Sequence, residues 1–473
     1  MNNETHLHNS QAITPPASLW PGHFFIKNLF AEFNRSNIQY AVMRNYQNLP
    51  FSADGSDLDI LVHPGDTNPA KKIIFDVIKR SNGVPIGHVN LPGFLKIFVL
   101  GSREEKDKKL QWWGIRLDIS FGLIFKGAAN LLEWREDQIG SHNGVRVLND
   151  SMANVLGVLK EVLHNKRLPH RYFNAASKAV FTEWDTIVLS LSPMGAGTLS
   201  LFHKLLTDTV KTDSATERCA VIAKRLQYSA FKKSPFNYVK NRIRFEWSKL
   251  WRLIKPPGKM IAILGIDGSG KSTLINAIRP VLEEATHNAL FVQHLRPALL
   301  PPLARFKGKK VTNGGPVLDP HGAVPSGSLG SLLRTFYHTL DYILGYWFKI
   351  RPEIAKQPAI VLFDRYAFDM AIDPLRFRID LPDNVINCAI ALIPKPDIIF
   401  CLYANPETLF LRKQELPIEE VFRQSSKLKK FAKNETRAVL IPTDTSVEEA
   451  KNKLLLSLYN FLGGCIQTQN TED

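Results

Sequence analysis

The chain has 473 residues with 44% hydrophobic and 10% aromatic content, the make-up of a globular protein of two or three domains and not of a disordered one. No apolar run reaches the roughly 18 residues a membrane-spanning helix needs, and the four cysteines (Cys219, Cys388, Cys401, Cys465) are far apart with no metal-ligand spacing, which fits a reduced, cytoplasmic setting. Formal net charge is +16, a balance that favours anionic partners.

In chain order, residues 1–17 are polar, lack the basic start and apolar stretch of a signal peptide, and read as a disordered tail. From 18 to 150 strand and helix signals mix. Phe25, Ile26, Leu29, Phe30 and Phe33 fall at helical spacing, and short apolar runs follow at Tyr40–Met43, Leu58–Val62, Lys96–Leu100 and Ile115–Ile119. Residues 151–255 carry long helix-period stretches and few strand signals, as a helical appendage would. Between Arg225 and Lys259 ten Lys and Arg face one acid, Glu246. That segment is either a surface for an anionic partner, membrane or nucleic acid, or a solvated helix face with Phe236, Phe245, Trp247 and Trp251 packed inward. Lone histidines such as His164 and His170 read as surface or helix residues, not as ligands.

Lys255, Pro256, Pro257 and Gly258 break any helix and mark a junction. Residues 256–464 then alternate strand and helix. Strand-like runs stand at Met260–Leu264, Leu290–Gln293, Ile360–Phe363, Ile398–Tyr403 and Val439–Ile441, and helix-like segments include Leu332–Ile350 and Ser446–Leu462. Runs apolar throughout belong to strands covered on both faces, so this half is expected to be an α/β domain with a doubly wound parallel sheet. A mobile loop is expected from Lys307 to Gly330, and 465–473 as a tail.

Two constellations carry chemistry. GIDGSGKST, from Gly265 to Thr273, matches GxxxxGK[ST] and stands between an apolar strand and a helix-capable segment. Glycines there let backbone N–H groups and a helix N-terminus surround a phosphate. Lys271 is placed for the β- and γ-phosphates of ATP, and Ser272 for Mg²⁺, with Gly265, Asp267, Gly268, Ser269, Gly270 and Thr273 completing the loop. Asp364 and Arg365 directly follow the strand Ile360–Phe363, so in a parallel sheet they face the same crevice. They stand there as site residues or as an ordinary ion pair. The second constellation is GSDLDILV from Gly55 to Val62. Asp57 and Asp59 alternate, and Asp118 of a later strand can stand beside them, giving three carboxylates for divalent metal. Otherwise they are polar residues of a half-exposed strand.

Asp364, Arg365 and Tyr366, together with Asp267 in the loop, resemble the thymidylate kinase family over nearly all of 256–464. The resemblance implies a P-loop kinase that moves the ATP γ-phosphoryl group to a nucleoside monophosphate or similar small acceptor, with ATP and Mg²⁺. It implies that Asp267 contacts an acceptor sugar hydroxyl, that Asp364 aids metal or acceptor, and that Arg365 holds the acceptor phosphate. Arg296 and Pro297 resemble part of the family's acceptor motif, and Arg412, with the LRKQE run and Arg423, occupies the place of its basic lid. Gly268 stands where some members carry an arginine. Residues 25–119 resemble the nucleotidyltransferase fold, an α+β domain, with Met43–Tyr46 where that family has a Gly-Ser turn. Competing readings are a kinase or nucleotidyltransferase acting on a sugar phosphate or glycan precursor, and a non-catalytic ATP-binding regulator.

Overall fold

The computed structural model describes residues 19–53, 55, 57–105, 109–128, 130–208, 212–301 and 327–469, with 212–214 and 465–469 described in backbone only. The expected N-terminal tail and most of the expected loop from Lys307 lie outside the described residues. The chain divides into two compact units: Met1–Gly83 with Asn90–Leu95 and Ser102–Glu246, and Val84–Val89 with Lys96–Gly101 and Trp247–Asp473.

In the first unit, α1 (His23–Arg35) buries Phe25, Ile26, Leu29, Phe30 and Phe33. This apolar stripe meets a seven-stranded mixed sheet of β1 (Tyr40–Val42), β2 (Leu58–Val62), β3 (Gly83–Leu91), β4 (Phe94–Glu104), β5 (Leu110–Phe121), β6 (Ile139–His142) and β7 (Val145–Leu148), in the order β3-β4-β5-β2-β1-β7-β6, of which Val84–Val89 and Lys96–Gly101 are counted with the second unit. Trp113 of β5 is fully buried and stacks on Phe25 at 5.5 Å between ring centroids. A second helix, α2 (Thr67–Arg80), precedes β3. The register that matters for function is parallel pairing of β2 with β5, which sets Asp59 opposite Asp118.

The helical run expected after residue 150 is α3 (Asp150–Asn165), α4 (His170–Leu191), α5 (Ala196–Thr207), α6 (Thr212–Lys233) and α7 (Pro235–Ile254). The Asn149 side chain caps α3 by accepting from the Met152 N–H at 2.8 Å. Leu159 and Val162 of α3 pack with Val180, Phe202 and Leu226 in one core. The expectation that Phe236, Trp247 and Trp251 pack inward is not met. All three are exposed, and Phe245 alone of the four is half-buried.

The second unit holds β8 (Lys259–Gly265), β9 (Leu290–His294), β10 (Ile360–Asp364), β11 (Ile398–Tyr403) and β12 (Ala438–Pro442) in one sheet, ordered β12-β11-β8-β10-β9 with every pairing parallel. Met260, Ala262 and Leu264 of the central strand sit in a core with Tyr342, Ile386 and Leu428, and the alternate residues Ile261 and Ile263 are buried as well. Both faces are therefore covered, the condition that produced uniformly apolar strands. The helices are α8 (Lys271–Thr286), α9 (Ser328–Gly345), α10 (Arg351–Lys356), α11 (Asp369–Ile372), α12 (Asp383–Ala391), α13 (Pro406–Arg412), α14 (Ile418–Asn434) and α15 (Val447–Gln469). This is the α/β class expected. The helix expected over Leu332–Ile350 starts earlier, at Ser328 inside the expected loop, and ends in a π-helical turn, Tyr346–Ile350.

Phe400, in the middle of β11, has no exposed surface. Phe400→Ala should destabilise the protein by about 3–5 kcal/mol through lost burial and a residual cavity. Urea unfolding followed by circular dichroism measures this, and an unchanged midpoint would contradict a central place for that strand.

Candidate functional site

Strand β8 ends at Gly265 and the chain turns through five residues into α8. Gly270 caps that helix with φ +80°, and Gly268 has φ +83°, a region that side-chain-bearing residues rarely adopt. A Cβ on Gly268 would stand 2.8 Å from the Leu409 carbonyl oxygen of α13, so close approach adds a second reason for glycine there. Ser272 and Thr273 are exposed on the first turn of α8. Lys271 is buried, and its Nζ donates to the Gly265 and Ile266 carbonyls, both at 2.8 Å. Burial, reinforced by Arg365, lowers the ammonium to about 7, with Asp267, Asp369 and Asp364 opposing the shift.

Arg365 follows β10 with φ +73°, held there by its N–H donating to the Ile263 carbonyl at 2.9 Å. Its guanidinium reaches Asp267 of the loop and, at 2.8 Å, Asp369. Burial works against the charge on Arg365, but Asp369 and Asp267 outweigh it and raise its pKa. Asp267 also accepts from Arg376, which reaches Asp373 at 3.1 Å. Burial alone would raise Asp267; Arg365, Lys271 and Arg376 together hold it at about 2. Asp364 meets Nδ1 of His294 at 3.2 Å through one oxygen, while its Oδ1 is buried with no hydrogen-bond partner. Burial raises Asp364, and the His294 hydrogen bond and Lys271 reverse the sign, leaving it lowered.

Beside the loop lies a cavity of about 360 Å³ lined by Gly268, Gly270, Thr273, Arg412, Lys413 and Thr445, among others. Arg412 reaches across to donate to the Thr443 carbonyl at 3.0 Å. Arg423 is held elsewhere, by Glu420 at 2.6 Å and, at 3.4 Å, the Ile372 carbonyl. Arg296 is likewise taken: it pairs at 2.9 Å with Asp341, which is fully buried and also accepts from the Leu300 N–H at 2.6 Å.

In the first unit, Asp57, Asp59 and Asp118 each offer an oxygen within 4.8 Å of the others. Asp57 stands just before β2 and not on it. The cluster is matched by cations: Arg44 bonds Asp59 and, at 3.4 Å, Asp57, and Arg116 bonds Asp118 at 3.0 and 2.5 Å. Lys160 of α3 is half-buried nearby and donates to Ser120 at 3.2 Å. Burial lowers Lys160, and burial with the neighbouring Asp57 raises Asp59. A cavity of about 350 Å³ opens here, lined by Arg44, Tyr46, Asp59, Lys160, Arg171 and Tyr172, among others.

Two solved structures of thymidylate kinases are similar to part of the chain. The enzyme from Ehrlichia chaffeensis has 19% identity and a TM-score of 0.30, over 43% of this chain and 100% of that one. The enzyme from Candida albicans has 14% identity and a TM-score of 0.32, over 43% of this chain and 93% of that one. No family model matches the sequence, and no curated protein matches it.

The geometry thus brings Gly265 to Thr273, Asp364 and Arg365 to one end of the sheet, with Arg412 across the cavity, and joins Asp57, Asp59 and Asp118 separately in the first unit. Sequence reasoning missed Arg376, Asp369, Asp341, His294, Arg44, Arg116 and Lys160. Only Asp369 left a local signal, four residues after Arg365 as in a helical ion pair. Asp369→Ala removes one partner of that buried pair and should cost about 3–5 kcal/mol. Thermal unfolding checks this; a loss below about 1 kcal/mol, the worth of an exposed pair, would show that the two are not buried together.

Proposed function

We propose that residues 256–464 form an ATP- and Mg²⁺-dependent phosphotransferase resembling thymidylate kinase, transferring the γ-phosphoryl group to a small acceptor, a nucleoside monophosphate or a sugar phosphate. One observation carries the reading: the glycine-rich turn opening α8, the buried Lys271 and the half-partnered Asp364 all stand at the carboxyl ends of adjacent parallel strands. Amides from Gly268 to Lys271 and the N-terminus of α8 hold the triphosphate. Lys271 exchanges the two loop carbonyls for phosphate oxygens, a trade that restores its full charge. Arg412 and Lys413, on the far side of the cavity, neutralise charge on the transferring group. Arg365 and Arg376 grip the acceptor anion while Asp267 orients an acceptor hydroxyl.

Ser272, exposed on the first turn of α8, and Asp364, with its orphaned buried oxygen, are oxygen donors of the kind Mg²⁺ takes. When bound, the ion spreads the charge of the phosphoryl group being transferred. Positioning and electrostatics supply the catalysis in this reading, and no covalent intermediate is required.

A second activity is favoured by the pairing of Asp59 with Asp118. Three carboxylates on two neighbouring strands support a nucleotidyltransferase-like role for residues 18–150, with 151–255 as its helical extension and basic linker. The all-oxygen donor set suits a hard divalent cation. For such an ion to bind, Arg44 must release Asp59, and the freed guanidinium then faces the cavity as an anion ligand.

ADP release measured against dTMP, other nucleoside monophosphates and sugar phosphates tests the first reading. At least one acceptor should stimulate turnover, and Lys271→Ala should lower it by about 10²–10³-fold. ATP binding with no acceptor-stimulated release would leave a non-catalytic ATP-binding protein. Asp57→Ala with Asp59→Ala should spare ADP release and abolish any release of pyrophosphate from nucleoside triphosphates; loss of ADP release instead would place the phosphotransfer in the first unit.

A further inference from the structure

Helix α7 is built the wrong way round for a helix of a water-soluble surface. Phe236, Val239, Ile243, Trp247, Leu250 and Ile254 recur every third or fourth residue, and at 3.6 residues per turn they fall within about 120° of its circumference. A stripe of this kind ordinarily faces the core. Here each of the six is exposed, from 46% for Val239 to 79% for Phe236, and no residue of the helix is fully buried. Trp251, on the flank of the stripe, is 47% exposed.

The side turned toward the protein is the polar one. Tyr238, Arg242, Phe245, Ser248 and Arg252 are half-buried on the opposite face. The Tyr238 hydroxyl meets Gln227 at 3.4 Å, and the Tyr238 carbonyl comes within 2.9 Å of where a Cβ on Gly127 would stand. At the other end Arg252 donates to the Lys356 carbonyl at 3.2 Å, and Arg351 donates to the Leu253 and Ile254 carbonyls at 2.8 and 2.5 Å. Within each unit the side-chain contacts of Tyr238 and of Arg252 are made on the side of the helix away from the stripe.

We infer that α7 docks this protein on an anionic phospholipid surface. The occupant follows from the charge around the stripe. Lys240 and Arg244 are exposed on one flank, and from Arg225 to Lys259 ten cations stand against the single acid Glu246. An apolar stripe with two tryptophans, bordered by Lys and Arg, matches the acyl boundary and the anionic headgroups together. A second copy of the chain fits poorly, because a two-fold interface would set these cations against their own image. A nucleic acid fits poorly too, since Val239, Ile243, Leu250 and Ile254 offer phosphates nothing. No described helix is long and apolar enough to cross a membrane, so the contact lies on the surface.

The test uses full-length protein in sedimentation with vesicles of phosphatidylglycerol and phosphatidylcholine, and with vesicles of phosphatidylcholine alone. Binding to the anionic vesicles is expected, weakening steeply with salt, and about tenfold weaker or absent on the neutral ones. Ile243→Glu with Trp247→Glu should abolish binding without lowering the melting temperature, since both side chains already face water; Lys240→Glu with Arg244→Glu should weaken it about tenfold or more. Failure of the wild type to sediment, or sedimentation unaltered by the first pair, overturns the inference. So does a dimer that the first pair dissociates, which would give the stripe to a second copy, or selective retention of an oligonucleotide. Acceptor-stimulated ADP release is read separately, so loss of docking and loss of the phosphotransfer reading are distinguishable.

Discussion

The second unit depends on one carboxylate. Asp267, in the turn between β8 and α8, is bonded by Arg365 and Arg376 and stands 3.9 Å from Lys271. The three cations are brought in from the end of β10, from a 3₁₀ turn at Pro374–Phe377 and from the start of α8. Without Asp267, Arg365 and Arg376 would keep Asp369 and Asp373, but no charge of opposite sign would stand where the two guanidiniums and Lys271 converge in a largely desolvated space. With it, the loop is tied to both neighbours before any ligand arrives. A phosphate-sized cradle of backbone amides is useful only if it holds its shape when empty, because amides that must reorganise on binding lose most of their electrostatic advantage.

The first unit reaches the same end with the signs exchanged. Three acids are gathered by the pairing of β2 with β5, and Arg44, Arg116 and Lys160 bring them close to neutrality. Burial pulls Lys160 down and pushes Asp59 up, so each group resists its own charge and is held by the other. In both units a change in one charge has to be answered by another nearby, and that makes each cluster sensitive to an arriving phosphate or cation.

Much of this was legible in the sequence, and the limit has a physical cause. Strands β8 and β11 are found where their apolar runs stand, because a strand buried on both faces is apolar along nearly its whole length. The glycine turn is local, and so is its spacing. Strand β3 was missed because Gly83, Pro85 and Gly87 are strand-breaking residues. The buried positions of α2 (Ala70, Ile74, Val77, Ile78) did carry a helical period, masked by the lysines between them. The partners of the candidate site were out of reach for another reason. Arg376 and Asp267 are 109 residues apart, and no periodicity joins them. The outward stripe of α7 shows a further limit: spacing reveals that a helix has an apolar face, while the contacts of its other face decide whether that side is covered.

The distribution of paired and unpaired cations around the loop also constrains the acceptor on the proposed reading. Arg412 and Lys413 border an open cavity on the donor side, whereas Arg365, Arg376 and Arg296 already hold carboxylates. Arg296 is bound to a fully buried Asp341, and detaching it would leave that acid unpaired, so it belongs to the framework. Tyr366, buried and donating to the Pro394 carbonyl, belongs there too. That leaves Asp267 with Arg365 and Arg376, of which the half-buried Arg376 is the partner an acceptor can open first. A neutral acceptor with only a hydroxyl would separate Asp267 from Arg376 and leave Arg376 with Asp373 alone; a bare phosphate would take from Asp267 one of its two arginines. A molecule carrying both, a hydroxyl for Asp267 and a phosphate for Arg376, replaces each lost bond with another of its kind. Phosphorylated sugars and nucleotides have that combination.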